Sequence, residues 1–269
     1  MSTPSENNET KRRPFTAEEL RALLSHPEFI KRKFSNSYAF WLIPLATYTG
    51  ARLGELCQLD LKDFVEVESI PCIDINDIAT EGAEAEEEVA APEGGGKKLK
   101  TRNAKRLIPI HPELIRIGIL RHVERLRQQG EQRLFPELSR TNRDGPGAAA
   151  SKWFARFRDK AGVSTKQETV FHSFRHLFIS TILDGGTISP HMLAPIVGHE
   201  AELITGKVYW NKKDATKRLP AVEAFTLPDD ITAMFPTVEE VTFSPRRGPK
   251  PATKTPSKPT ATRKPHKAL

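Results

Sequence analysis

The 269-residue sequence predicts a mainly helical domain carrying one small antiparallel sheet near its front. Three observations lead there. Apolar residues recur at helical spacing through most of the span from Pro14 to Phe235, two short runs (Val65–Ile75 and Lys105–Ile110) have strand character, and loops such as Asn142–Gly147 punctuate the rest. At 38% apolar residues the chain can bury a real core. It contains no internal repeat.

The elements follow in order. Thr16, Ala17, Glu18 and Glu19 stand ahead of Leu20, Leu23 and Leu24. This is a capping box, in which a hydroxyl and a carboxylate satisfy free amides of a first helical turn. Ser37–Tyr48 reads as a largely buried helix despite Pro44, and Gly50 breaks it. A third helix begins at Arg52 and runs to Leu59, with Leu53, Leu56 and Leu59 on one side. Val65–Ile75 alternates as strands do, and Lys105–Ile110 is the next strand, after an acidic, glycine-rich insertion at about 79–96. Helical patterns then cover Pro112–Gln129, Ser151–Ala161, His172–Leu183, Pro190–Val197, Leu203–Trp210 and Asp214–Phe225. The expected organisation is a flexible stretch over 1–13, one domain over 14–235, and a disordered Pro/Lys/Arg-rich tail over 236–269.

The net charge of +7 is a sum of unlike parts. From Thr242 onward the tail carries eight basic residues and no acid, whereas Glu66–Glu93 holds ten acids and no Lys or Arg. With both set aside, +9 remains on the rest, so the body is basic in its own right and suits an anionic partner. Cys57 and Cys72 cannot build a disulfide framework, which points to a reducing, cytoplasmic compartment. The apolar stretch Ala39–Ala46 falls far short of the roughly 20 residues of a membrane span. The N-terminus has no signal-peptide core, so no membrane partner is expected.

Three separated segments gather the groups that a phosphate-processing site needs. In Thr49-Gly-Ala-Arg52-Leu-Gly-Glu55 a glycine turn delivers an arginine at a helix start, with a carboxylate one turn on. A guanidinium can hold two phosphate oxygens, and Glu55 can orient it; the plainer alternative is a surface ion pair at i,i+3. In Phe171-His172-Ser-Phe-Arg175-His176 an imidazole lies one helical turn from a permanent cation, with Phe174, Phe178 and Ile182 facing the core. His172 and His176 are also spaced to share a metal, yet no Glu accompanies them and Arg175 would repel a dication. The third segment is Val197-Gly-His199, followed ten residues on by Tyr209. Tyr38 and Tyr48, the other tyrosines, sit in the apolar helix, where packing is the default.

Taken together, these segments resemble the catalytic domain of the tyrosine recombinases, the phage integrase family of DNA strand-exchange enzymes. The resemblance runs from about Pro14 to Leu227. The TGARLGELCQL segment matches the family's first arginine box at Arg52 and Glu55. His172-Ser-Phe-Arg175 matches the His-x-x-Arg box, Val197-Gly-His199 the Leu/Val-Gly-His box, and Tyr209 the nucleophile. The family's hairpin lysine is best matched by Lys100 in KLKTRNAKRLIPIHPEL; Lys97, Lys98 and Lys105 stay open because the insertion blurs the register.

The resemblance implies a site-specific recombinase that cuts and rejoins double-stranded DNA through a 3′ phosphotyrosyl intermediate, as a homo-tetramer on DNA and without metal or cofactor. Tyr209 would attack, Arg52, Arg175 and His199 would stabilise the phosphorane, Lys100 would protonate the leaving 5′ oxygen, and His172 would serve as general base. Such a protein would be bacterial or phage-encoded and associated with the nucleoid. Only about 14 residues precede the first predicted helix, too few for the family's core-binding domain, so the sequence is truncated, minimal or partnered. Two rival readings are a non-recombining DNA-binding relic or regulator on the same fold, and a metal-dependent hydrolase using His172, His176 and His199. The apolar anchors Leu219, Val222, Phe225, Leu227, Ile231 and Phe235 suit either docking into a neighbouring protomer or folding back on their own chain.

Overall fold

A computed structural model describes residues 12–76, 105–139, 145, 147–163, 168–198 and 214–244. Helices dominate these residues, and a three-stranded antiparallel sheet sits beside them, in agreement with the expected class. The expected helix over Leu203–Trp210, the insertion, and the tail beyond Ser244 lie outside the described residues.

Helix α1 (Ala17–Leu24) opens on the capping box read from the sequence: the Thr16 hydroxyl accepts from the Glu19 amide and the Glu19 carboxylate from the Thr16 amide. It presses Leu20, Leu23 and Leu24 into the core. A one-turn helix, α2 (Pro27–Ile30), and a two-residue strand, β1 (Lys33–Phe34), lead into α3 (Ser37–Thr49). Every residue of α3 from Ala39 to Thr49 is buried. A helix apolar all round belongs at the centre of a domain, and α7 (Ala148–Lys160) and α8 (Ser173–Asp184) pack on α3.

Gly50 ends α3 in the left-handed region at φ 60° and redirects the chain into α4 (Leu53–Cys57). Strands β2 (Phe64–Val67) and β3 (Ile70–Ile75) form a hairpin, and β4 (Arg106–Pro109) pairs antiparallel with β3, placing Ile75 opposite Arg106. The single helix expected over Pro112–Gln129 is instead two, α5 (Pro112–Ile117) and α6 (Ile119–Gln128). The physical reason is Gly118, at φ 103°, where a Cβ would lie 2.7 Å from Val238 Cγ1. The chain continues through α9 (Pro190–Val197), α10 (Ala215–Glu223) and α11 (Asp229–Ala233).

The described chain extends the folded unit beyond the expected edge at Phe235. Val238 and Val241 are buried, and strand β5 (Thr242–Phe243) pairs in parallel with β1. Phe243 packs on Phe40 and His122, so these residues bury surface that the tail's composition concealed. The unit also starts slightly before Pro14: the Arg13 amide donates to the Glu168 carbonyl, and its guanidinium pairs with Glu19 and Glu168. Of the six apolar anchors near the C-terminal end, Val222, Phe225, Ile231 and Phe235 are fully buried against this chain's own core, and Leu219 and Leu227 are partly buried. The segment folds back on itself.

Candidate active site

Gly50 builds the first corner of the site. The Thr49 hydroxyl donates to the Leu45 carbonyl and accepts from the Ala51 amide, which ties the end of α3 to the turn. Arg52 then stands at the N-cap of α4, and the Glu55 carboxylate reaches back one turn to accept from the Arg52 amide at 2.8 Å. The same carboxylate accepts from Arg52 Nη1 at 2.9 Å. The pair is more than an exposed i,i+3 bridge, because the Glu55 side chain is only 6% exposed and has a second cation. Arg106 on β4 grips it with two bonds, Nη1 to Oε1 at 3.0 Å and Nη2 to Oε2 at 2.7 Å.

Burial alone would raise the Glu55 pKa. The Arg106 hydrogen bonds and charge, with the amide and side chain of Arg52, overcome that and hold it down to about 2. Glu55 is therefore a fixed anion at neutral pH.

Helix α8 brings the second box. Phe174, Phe178 and Ile182 are fully buried, as their spacing predicts, and they carry Arg175 inward to 2% exposure. Its Nη1 donates to the Gly50 carbonyl at 2.8 Å, while Nη2 is buried and has no partner among the described residues. Arg175 is pushed down to about 9 by burial first, and then by the charges of Arg52 and Arg106. Such a cation is undersupplied with acceptors. Among the described residues, Arg52 and Arg106 share the Glu55 carboxylate while Arg175 Nη2 has no acceptor, an arrangement suited to an anion.

His172 lies at the start of α8, half-buried, with its ring edge-on to that of His176 at 5.0 Å. Burial lowers its pKa to about 4, and His176, Arg175 and Arg52 act in the same direction, so the imidazole is neutral near pH 7. The third box is present up to Gly198: α9 ends there at φ 67°, and the Gly198 carbonyl is 3.4 Å from Arg52 Nη2. Thus the Arg52–Glu55 pair and the His172–Arg175 turn, far apart in sequence, are brought together by the Arg175–Gly50 bond and by charge. His199, Tyr209, Lys100, Lys97 and Lys98 lie outside the described residues, and Lys105 directly precedes β4. Among the described residues no three His, Cys, Asp or Glu side chains gather, and no helix is long and apolar enough to cross a membrane.

Arg106 is the site residue that sequence reasoning missed. The available signal was a charged residue immediately before the apolar run Leu107-Ile-Pro-Ile110, and it opens a strand whose four residues are all buried.

Among solved structures, XerA recombinase is 18% identical with a TM-score of 0.45, over 86% of this chain and 64% of that one. A lambda integrase dimer bound to a COC' core site is 20% identical with a TM-score of 0.42, over 74% and 48%. A lambda integrase tetramer bound to a Holliday junction is 20% identical with a TM-score of 0.40, over 75% and 49%. The chain thus spans less than two thirds of the length of each. No curated protein matches the sequence significantly. The family model described as the phage integrase family matches residues 13–216, well over half of the sequence, and the chain belongs to that family.

Proposed function

We propose that this chain is the catalytic domain of a site-specific DNA recombinase, a metal-independent strand transferase acting through a 3′ phosphotyrosyl intermediate. The observation that carries the reading is the convergence of Arg52 and Arg175, with Glu55 and Arg106 behind Arg52, and with Arg175 Nη2 buried and without a partner among the described residues. A phosphodiester supplies an acceptor for Arg175 Nη2. Arg52 and Arg175 bond its non-bridging oxygens and stabilise the charge that builds on the phosphorane, where fixed donors act most strongly.

A phenol with pKa near 10 is a weak nucleophile at neutral pH until its proton is removed. Neutral His172 takes the Tyr209 proton as the phenolic oxygen bonds to phosphorus; the bond to the 5′ oxygen breaks, and Lys100 protonates that leaving group. His199 donates a further hydrogen bond to the phosphoryl oxygens. The phosphotyrosyl ester conserves the energy of the broken link, and a second 5′ hydroxyl reseals it by the reverse sequence. The DNA partner, the tetrameric assembly on it and a cytoplasmic, nucleoid-associated location in a bacterial or phage system follow from the family resemblance.

The test is incubation with a nicked suicide substrate in EDTA, read as a protein–DNA adduct on a denaturing gel. The expected result is an adduct with the parent and none with Tyr209→Phe. An adduct of equal yield from Tyr209→Phe would remove the assignment.

A further inference from the structure

The family's boxes account for Arg52, Glu55, His172 and Arg175 but leave Arg106 without a role. Its position is unusual. The side chain is 2% exposed, yet all three guanidinium nitrogens are used, each toward a different anchoring atom. Nη1 and Nη2 take the two oxygens of Glu55, and Nε donates to the Ile196 carbonyl at 2.7 Å. Those anchors belong to separate parts of the site. Glu55 holds Arg52. Ile196 is in the last turn of α9, two residues before Gly198, whose carbonyl faces Arg52. Arg106 itself begins β4, the strand that follows the lysine-bearing segment.

The fit at this junction is close. A Cβ on Gly198 would stand 3.1 Å from Arg106 Nη1 and 3.3 Å from its Cδ, so the helix terminus lies against the guanidinium with little room. A lysine could neutralise Glu55 but could not present a planar fork to the carboxylate and a third donor to Ile196 at the same time.

From this geometry we infer that Arg106 is a positioning residue for strand cleavage: it locks the Glu55 carboxylate, and through it Arg52, to the end of α9 and the start of β4. The inference rests on the function proposed above. Arg106 is buried and bonded to protein groups, so it acts through Arg52 and Glu55. The expected signature is a slower chemical step with unchanged DNA affinity. A second signature concerns protons. Without Arg106, the burial that raises the Glu55 pKa is no longer offset by its strongest partner, so Glu55 titrates in an accessible range and releases Arg52 when protonated.

The experiment uses the full chain and the suicide substrate, with single-turnover adduct formation measured from acid to neutral pH beside equilibrium DNA binding. Arg106→Met should lower the rate by about 10²-fold at unchanged affinity, the scale expected when a catalytic group is displaced by about 1 Å. It should also create an acid limb at about pH 5–7, absent from the parent. Glu55→Gln should cost a similar factor, and the double variant little more. Arg106→Lys should fall between parent and Met, and it decides by the same readouts if the Met variant does not fold. A parental rate and pH profile would overturn the inference, as would a loss of rate that is equal at every pH. If the parent forms no Tyr209-dependent adduct, the proposed function fails; if it does and the Arg106 variants match it, only this inference fails.

Discussion

Arg175 donates to the carbonyl of Gly50 at 2.8 Å, so the arginine of one sequence box is pinned by the glycine turn that presents the arginine of another. The two residues are 125 positions apart. This contact fixes one nitrogen of Arg175 and leaves Nη2 buried without a partner among the described residues. A buried cation repelled by two others is costly to keep. Arg175→Met should therefore melt no lower than the parent, while cleavage falls by about 10²–10³-fold, the usual loss for one transition-state donor. Thermal denaturation beside single-turnover adduct assays checks both halves; a clear drop in melting temperature would show that Arg175 stabilises the fold.

The turn at Gly50 is itself testable. Gly50 has φ 60°, and an added Cβ would lie 2.7 Å from Phe178 Cδ1, a ring fixed in the core. Gly50→Ala combines backbone strain with a clash and should destabilise by about 1–3 kcal/mol. Denaturant unfolding measures this. Cleavage should fall as well, because Phe178 and Arg175 share α8.

His172 sets a pH dependence. Its pKa is lowered to about 4, so the neutral base persists well below pH 6.5, and at subsaturating DNA the cleavage rate should lose this group only toward pH 4. His172→Gln should reduce the rate by about 10²–10⁴-fold and remove that limb. An unchanged acid limb in the variant would assign it elsewhere.

His122 bears on stability in the same direction. Its pKa is lowered to about 4, by burial first and then by Arg125, and neither ring nitrogen has a partner among the described residues. The unfolded chain binds the proton more readily, so stability is fully present above pH 6.5 and is lost as pH falls through about 4. His122→Phe keeps the ring contacts to Trp41 and Phe243 and should flatten the fall in unfolding free energy between pH 6.5 and 4.5. A slope as steep as the parent's would exclude His122 as a source.

Two truncations test the domain edge. Ending the chain after Phe235 removes buried Val238 and Val241 and the β5 strand, and should cost roughly 2–5 kcal/mol in urea unfolding. Ending it after Ser244 should leave stability unchanged, yet it removes all eight basic residues of the tail. Nonspecific DNA binding should then show a shallower salt slope, by up to about 0.9 per lost phosphate contact, with Tyr209 chemistry intact. Loss of the adduct even at low salt would mean that the functional charge lies in the tail.

What was legible in the sequence depended on how local its cause was. The capping box at Thr16 and Glu19 and the helix α9 are set by neighbouring residues, and they stand where the pattern put them. The single strand read over Val65–Ile75 is instead a hairpin, because Glu68 and Ser69 turn the chain at positive φ. Strands β1 and β5 are two residues each and exist through their pairing with each other, so no local window displays them. Helix α2 is a single turn, too short for periodicity. At the break at Gly118 the close neighbour is Val238, distant in sequence, and no local window shows that approach. The site divides the same way. Arg52, Glu55, His172 and Arg175 stand out as polar groups beside apolar helical runs, whereas Arg106 looked like one more cation of a basic segment until its partners were in place.

The parallel pairing of β1 with β5 also bears on how the domain is made. Arg32 and Glu240, an ion pair beside these strands, are 208 residues apart, so this closure spans nearly the whole folded chain. Contacts of such separation carry a large loop entropy and form late. A chain emerging from the ribosome exposes Phe34, Phe40 and His122 until Phe243 arrives to cover them. Completion of this core therefore waits on β5, and products that stop short of it are left with an open, aggregation-prone aromatic face.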